Sequence, residues 1–159
     1  MAAIAAAREH ASLAVAQSGP AKFEFFDEAS AADVAAIAEQ ILPSDDGPGA
    51  KEAGAIYFID RALITFDSDK QDAYRAGLKD LRARAGGSLA ALASDKQIEL
   101  LHAIETTDFF DLVRTHTLLG FLGDPSYGGN RGKVGWKHIG FDDRMVWQPP
   151  FGFYDKEPA

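Results

Sequence analysis

The chain has 159 residues, 47% of them apolar and 25% charged, a size and balance that fit one globular domain around a single core. A net charge of −8 and a pI near 4.9 disfavour broad nucleic-acid binding, which needs a basic surface to release counterions, and tight docking on an anionic membrane. The lack of cysteine excludes disulfides, a thiolate nucleophile, cysteine-held zinc or iron–sulfur sites and covalent haem, and no apolar run approaches the roughly 20 residues of a membrane span.

In chain order, residues 1–22 are alanine-rich but carry Arg8, Glu9 and His10 in their middle. They lack the basic start and uninterrupted apolar run of a signal peptide. They read either as an amphipathic N-terminal helix or as the segment left behind when an export leader is removed. A first firm helix is expected in "SAADVAAIAEQILP", with Ser30 as N-cap, Asp33 three residues on, and Val34, Ile37, Ala38, Ile41 and Leu42 on one stripe. Pro43 closes it, and "PSDDGPGA" is a loop. "KEAGAIYFIDRALITF" reads as one helix, with Ala53, Ile56, Tyr57, Leu63 and Ile64 together and Asp60 and Arg61 outward. "SDKQDAYRAGLKDLRARAGG" places Tyr74, Leu78, Leu81 and Ala85 at helical spacing and stops at Gly86–Gly87. "SDKQIELLHAIE" has Ser94 and Gln97 in capping-box register. "TDFFDLVRTHTLLGFLG" comes next, with Thr106, Thr107 and Asp108 as its cap and Gly120 or Gly123 as its end.

The expected fold is therefore all-α: a helical body of about five helices over residues 23–122 and a long irregular arm over 123–159. In the arm, glycines alternate with Tyr127, Trp136, Phe141, Trp147, Phe151, Phe153 and Tyr154. Aromatics in that density need a surface to bury against, either the chain's own helices or a partner. Gly128, Gly129 and Gly132 suit tight turns, Asn130 a left-handed position, and Asp124–Pro125 a turn start.

Chemical motifs are thin. Gly132–Lys133 is followed by Val134, and position 127 is tyrosine, so the phosphate-binding Walker spacing fails. Glu99 and His102 form one Glu-x-x-His, but the second copy that a di-iron bundle needs is missing, and Glu105 only extends the same face. His116 and Thr117 read as helix-surface or partly buried hydrogen-bonding groups.

"LLGFLGDPSYGGNRGKVGWKHIGF", preceded by "ETTDFFDLVRTHT" and followed by "PPFGFYD", resembles the small subunit of bacterial flavin-dependent sugar dehydrogenases, the gluconate 2-dehydrogenase subunit 3 family. "ILPSDDGPGAKEAGAIYFIDRAL" is similar to that family's first helix-loop-helix, and the similarity runs over roughly residues 23–154. The resemblance implies a non-catalytic subunit without a cofactor of its own. Its partner would be a large flavoprotein of the glucose–methanol–choline (GMC) type, which holds the FAD; a cytochrome c subunit often takes the electrons onward. Family small subunits typically carry a twin-arginine leader and support folding and export of the large one, which implies a periplasmic site with the leader removed. Partner contact is expected at Asp124, Pro125, Tyr127, Gly128, Gly129, Asn130, Arg131, Gly135, Trp136, His138, Phe141, Trp147, Phe151 and Tyr154, with loop 43–49 as a second contact. The competing readings are a metal-dependent helical enzyme using Glu99, His102 and Glu105, and a free-standing helical binding protein.

Overall fold

Seven α-helices and four short 3-10 turns, rather than five helices, make up residues 22–143, the part of the chain that the computed structural model describes. The helices are α1 Glu28–Ile41, α2 Ala50–Ala53, α3 Ala55–Ile64, α4 Gln71–Ala85, α5 Ser94–His102, α6 Asp108–Leu122 and α7 Val134–His138. No β-strand occurs among the described residues.

The extra helices come from two places. The expected long helix around residues 51–66 breaks at Gly54, which takes a left-handed conformation (φ 66°) open to glycine, so α2 ends there and α3 starts afresh. The second is α7, in the arm. The break also rotates the buried stripe of α3 onto Phe58, Ile59, Ala62 and Leu63, and it turns Asp60 and Arg61 inward rather than outward. Asp60 is 1% exposed and tolerates this because its carboxylate accepts the N–H groups of Glu24, Phe25 and Phe26 at 2.8, 3.0 and 3.0 Å. Burial pushes its carboxyl above the ordinary carboxylate value, against the pull of the Phe26 and Phe25 amides. Arg61 pairs with Glu24 on the same crossing segment.

The caps also differ from expectation. Asp27, not Ser30, caps α1: its Oδ1 accepts the Ser30 N–H at 2.7 Å, where a carboxylate also meets the positive end of the helix dipole. Asp33 is then free to go inside, where it takes Arg82 Nε at 2.7 Å, Ser88 Oγ at 2.6 Å and the Ala90 N–H at 3.1 Å. Those bonds tie α1 to α4 and to the turn Leu89–Ala91. Gln97 is no cap either; its buried amide donates to the carbonyls of Leu89 and Leu92 and accepts from Gln40. Thr107 does cap α6, accepting from the Phe110 N–H at 3.2 Å.

The core is one cluster containing Phe26, Val34, Ile37, Phe58, Ile59, Leu63, Tyr74, Leu81, Leu89 and Val113. Within it α3 and α6 make the most extensive helix contact. They approach closely because Gly120 faces Ala55: a Cβ at 120 would sit 3.0 Å from the Ala55 Cα. This crossing sets the direction of α6 and the place where the arm begins.

Candidate partner-docking site

Residues 123–143 are wound onto the end of α6 rather than irregular. Asp124 Oδ1 accepts the Ser126 N–H at 2.8 Å and opens the turn Pro125–Tyr127; a second turn, Arg131–Lys133, leads into α7. Between the turns sits Asn130, fully buried and left-handed at φ 44°. Its N–H donates to the Gly120 carbonyl at 2.7 Å and its Nδ2 to the Gly123 carbonyl at 2.9 Å, while its Oδ1 accepts the Gly135 N–H at 2.9 Å. One side chain thus serves a free carbonyl near the end of α6 and a free N–H at the start of α7.

The neighbouring glycines are there for close approach. A Cβ at Gly129 would lie 2.2 Å from the Gly120 carbonyl oxygen, and one at Gly135 would lie 2.0 Å from that of Phe121. Gly128 supplies the positive φ, at 101°, that the turn needs. Gly128, Gly129, Asn130 and Gly135 are therefore buried in a clasp that fixes the arm to its own helix.

The clasp holds the larger arm residues outward. Trp136 donates its indole N–H to the Leu122 carbonyl at 2.6 Å, and the Phe141 ring packs edge-on against it at 5.1 Å. Lys133 pairs with Asp143 at 2.5 Å beside the same indole. Arg131 lays its guanidinium 3.5 Å from the centre of the Tyr57 ring, on which Phe23 also stacks. His138 lies against Gly47 and edge-on to Phe121, so loop 43–49 is packed on α7. Tyr127 meets Phe66 edge-on at 6.3 Å. Trp147, Phe151 and Tyr154 lie outside the described residues.

Apolar side chains are also exposed beside the arm, on α6. Its buried positions are Val113, His116, Thr117, Gly120 and Phe121, so Leu118, Leu119 and Leu122 face out, 38%, 47% and 39% exposed. The outer face of this helix changes character along its length, from Asp108, Asp111 and Arg114 in the first turns to leucine in the last. Leu122 passes the apolar surface on to Trp136 and Phe141, the latter 50% exposed. On the other side, Leu119 borders a cleft of about 360 Å³ lined by Phe58, Phe66, Gly123, Asp124 and Tyr127. Sequence reasoning passes over these leucines because it assigns no inner stripe to this helix and leaves His116 and Thr117 open between surface and partly buried hydrogen-bonding positions. Both are inside and hydrogen-bonded, more deeply buried than that reading places them: Thr117 Oγ1 donates to the Val113 carbonyl at 2.8 Å and His116 bonds to Tyr74 and Asp67.

At the Glu99–His102 face, Glu99 pairs with Lys96 and His102 Nδ1 bonds to Glu105 at 2.9 Å. Among the described residues no three His, Asp or Glu side chains are grouped to hold a metal ion. No helix among them is long and apolar enough to cross a membrane.

The family model described as gluconate 2-dehydrogenase subunit 3 matches residues 28–143, from the first turn of α1 to the last described residue. The chain belongs to the gluconate 2-dehydrogenase subunit 3 family. Neither a curated protein nor a solved structure matches it. Membership in the subunit 3 family gives the chain a non-catalytic, accessory role in a dehydrogenase complex. The matched span takes in the clasp, the α6 leucines and the Trp136–Phe141 pair.

Proposed function

We propose that the chain is the small subunit of a GMC-type, FAD-bearing dehydrogenase that oxidises a sugar, sugar acid or glucoside, and that it stabilises the large subunit and assists its folding or export. FAD and catalysis belong to the large subunit in this reading, and a cytochrome c subunit receives the electrons. The complex works in the periplasm, reached through a twin-arginine leader. The chain divides by task into an N-terminal segment 1–22, a helical body 23–122 and a docking arm 123–159, to which Trp147, Phe151 and Tyr154 add aromatic contact.

The observation that carries the docking reading is the apolar face of Leu118, Leu119 and Leu122, continued by Trp136 and Phe141, on a chain whose family is a subunit of a complex. Interfaces concentrate their energy in such aromatic and aliphatic centres, ringed by polar groups. Here Arg131, Lys133, Lys137 and His138 stand on the arm as the rim. Gly128, Gly129, Asn130 and Gly135 shape this surface from beneath.

The test is co-expression with the flavoprotein and purification through this chain. The native pair is expected to elute as a yellow complex active in a sugar–dye assay. Leu118→Asp with Leu122→Asp, both at exposed positions, is expected to leave the fold intact and weaken the complex at least tenfold, about 1.4 kcal/mol. Trp136→Ala should act in the same direction. Unchanged affinity in both variants, or a flavoprotein fully soluble and active without this chain, defeats the reading.

A further inference from the structure

Tyr74, His116 and Asp67 form a run of hydrogen bonds inside the core that docking does not use. Tyr74 Oη lies 3.0 Å from His116 Nδ1, and His116 Nε2 lies 3.2 Å from Asp67 Oδ2. Tyr74 is fully buried and His116 is 3% exposed. A carboxylate oxygen only accepts, so Nε2 carries a hydrogen; Nδ1 of the neutral ring then accepts the phenol hydrogen. That arrangement satisfies both ring nitrogens and the phenol. A second proton on the ring places a hydrogen on Nδ1, opposite the phenol hydrogen, which must turn away. The rings packed on Tyr74 are those of Phe26, Phe109 and His116, and they offer the displaced hydrogen no oxygen.

His116 and Asp67 of this run adjoin the wall of the cleft. Phe58 packs edge-on against His116 at 6.3 Å and against Phe66 at 6.1 Å; Phe66 immediately precedes Asp67, and both phenylalanines line the cleft. We propose that Tyr74–His116–Asp67 is an acid-sensitive latch, closed while His116 is neutral and loosening the Phe58–Phe66 wall of the cleft when His116 gains a proton.

The groups facing His116 are Asp67 and Lys70 from the segment before α4, Tyr74 from α4 itself and the uncharged Phe58 from α3. Burial pulls the imidazole below its ordinary value of 6.5, against the opposing pull of Asp67 and with a smaller push from Lys70 in the same direction as burial. Well above pH 6.5 the ring is neutral in both the folded and the unfolded chain, and the latch contributes in full. As pH falls below 6.5 the unfolded chain takes up the proton first, so stability drops until the folded ring is protonated as well. Acid sensitivity stands on the core alone; only its effect on the cleft rests on the docking reading.

The experiment is urea unfolding of the full chain from pH 7.5 to 5, with the histidine ring nitrogens followed by NMR. The folding constant of the native chain is expected to fall by up to tenfold per pH unit below pH 6.5, and His116→Gln should remove that one-proton slope. Asp67→Asn keeps an oxygen for the Nε2 hydrogen but removes the charge, so its acid loss should extend to lower pH. NMR should show the Nε2–H tautomer at pH 7.5, with the Phe66 and Tyr127 ring signals shifting at the His116 midpoint. Three results overturn the latch: a slope shared by the native chain and His116→Gln, a midpoint at or above 6.5, or Phe66 and Tyr127 signals indifferent to the titration. None of these affects the Leu118/Leu122 binding test, so the latch and the docking reading fail separately.

Discussion

Asn130 shows how much a single residue holds in this protein. Its side chain accepts from the Gly135 N–H and donates to the Gly123 carbonyl, and its backbone is left-handed. Alanine there leaves a donor and an acceptor unpaired inside the clasp and forces a Cβ-bearing residue without a local hydrogen bond into the left-handed region. Each unpaired group costs about 1–3 kcal/mol and the left-handed backbone adds roughly 1–2, so Asn130→Ala is expected to destabilise by at least about 3 kcal/mol, read as a lower urea midpoint at unchanged slope. Asn130→Asp keeps the acceptor toward Gly135 but turns an oxygen onto the Gly123 carbonyl and adds a buried charge, so it should destabilise at least as much as alanine near neutral pH. If both variants match the native midpoint, the Asn130 bonds do not hold the clasp.

At the scale of elements, the clasp is a unit whose failure differs from that of the helical body. Gly135→Ala puts a methyl group 2.0 Å from the Phe121 carbonyl oxygen, backbone against backbone, and no side-chain rotation relieves it. Hydrogen exchange is expected to speed up across residues 123–143 in that variant while α1, α3 and α4 keep their protection. Loss of protection throughout the chain would mean that the arm is part of the main cooperative core.

How much of this is legible in the sequence depends on the kind of interaction involved. The stripe of α4, the Thr107 cap and the turn residues of the arm are readable because each arises from local spacing or from one residue's φ preference. Gly54 does not announce itself as a break, since a helical pattern tolerates a glycine until tertiary contact decides otherwise. Asp33, Asp60 and Gln97 are misplaced by sequence reasoning for a common reason: their partners lie on other elements, such as Arg82 for Asp33 and the 24–26 backbone for Asp60. The leucines of α6 escape it because Asn130 and the arm glycines, several residues downstream, cover one side of that helix and fix which face is inside. The residues of the arm carry its family resemblance but not its helical winding, because runs of glycine have no periodicity.

For the whole molecule, the apolar face and the net charge act against each other. A chain with a net charge of −8 repels its own copies, whereas the outer leucines of α6 and the Trp136–Phe141 pair favour association with any apolar surface. Salt shortens the Debye length from about 30 Å at 0.01 M to about 10 Å at 0.1 M, so repulsion between copies fades while the apolar attraction persists. The isolated chain is therefore expected to self-associate more at high salt, measured by sedimentation velocity at several concentrations. Leu119→Glu with Leu122→Glu should hold it monomeric at every salt concentration, because the pair removes apolar area and adds charge at the same place. In the complex proposed above the large subunit covers this face, so the salt dependence should vanish there. Self-association that weakens with salt would instead point to charged groups, Lys133 and Lys137 meeting acidic neighbours, as the sticking surface, and the leucine face would lose its claim to be the centre of the interface.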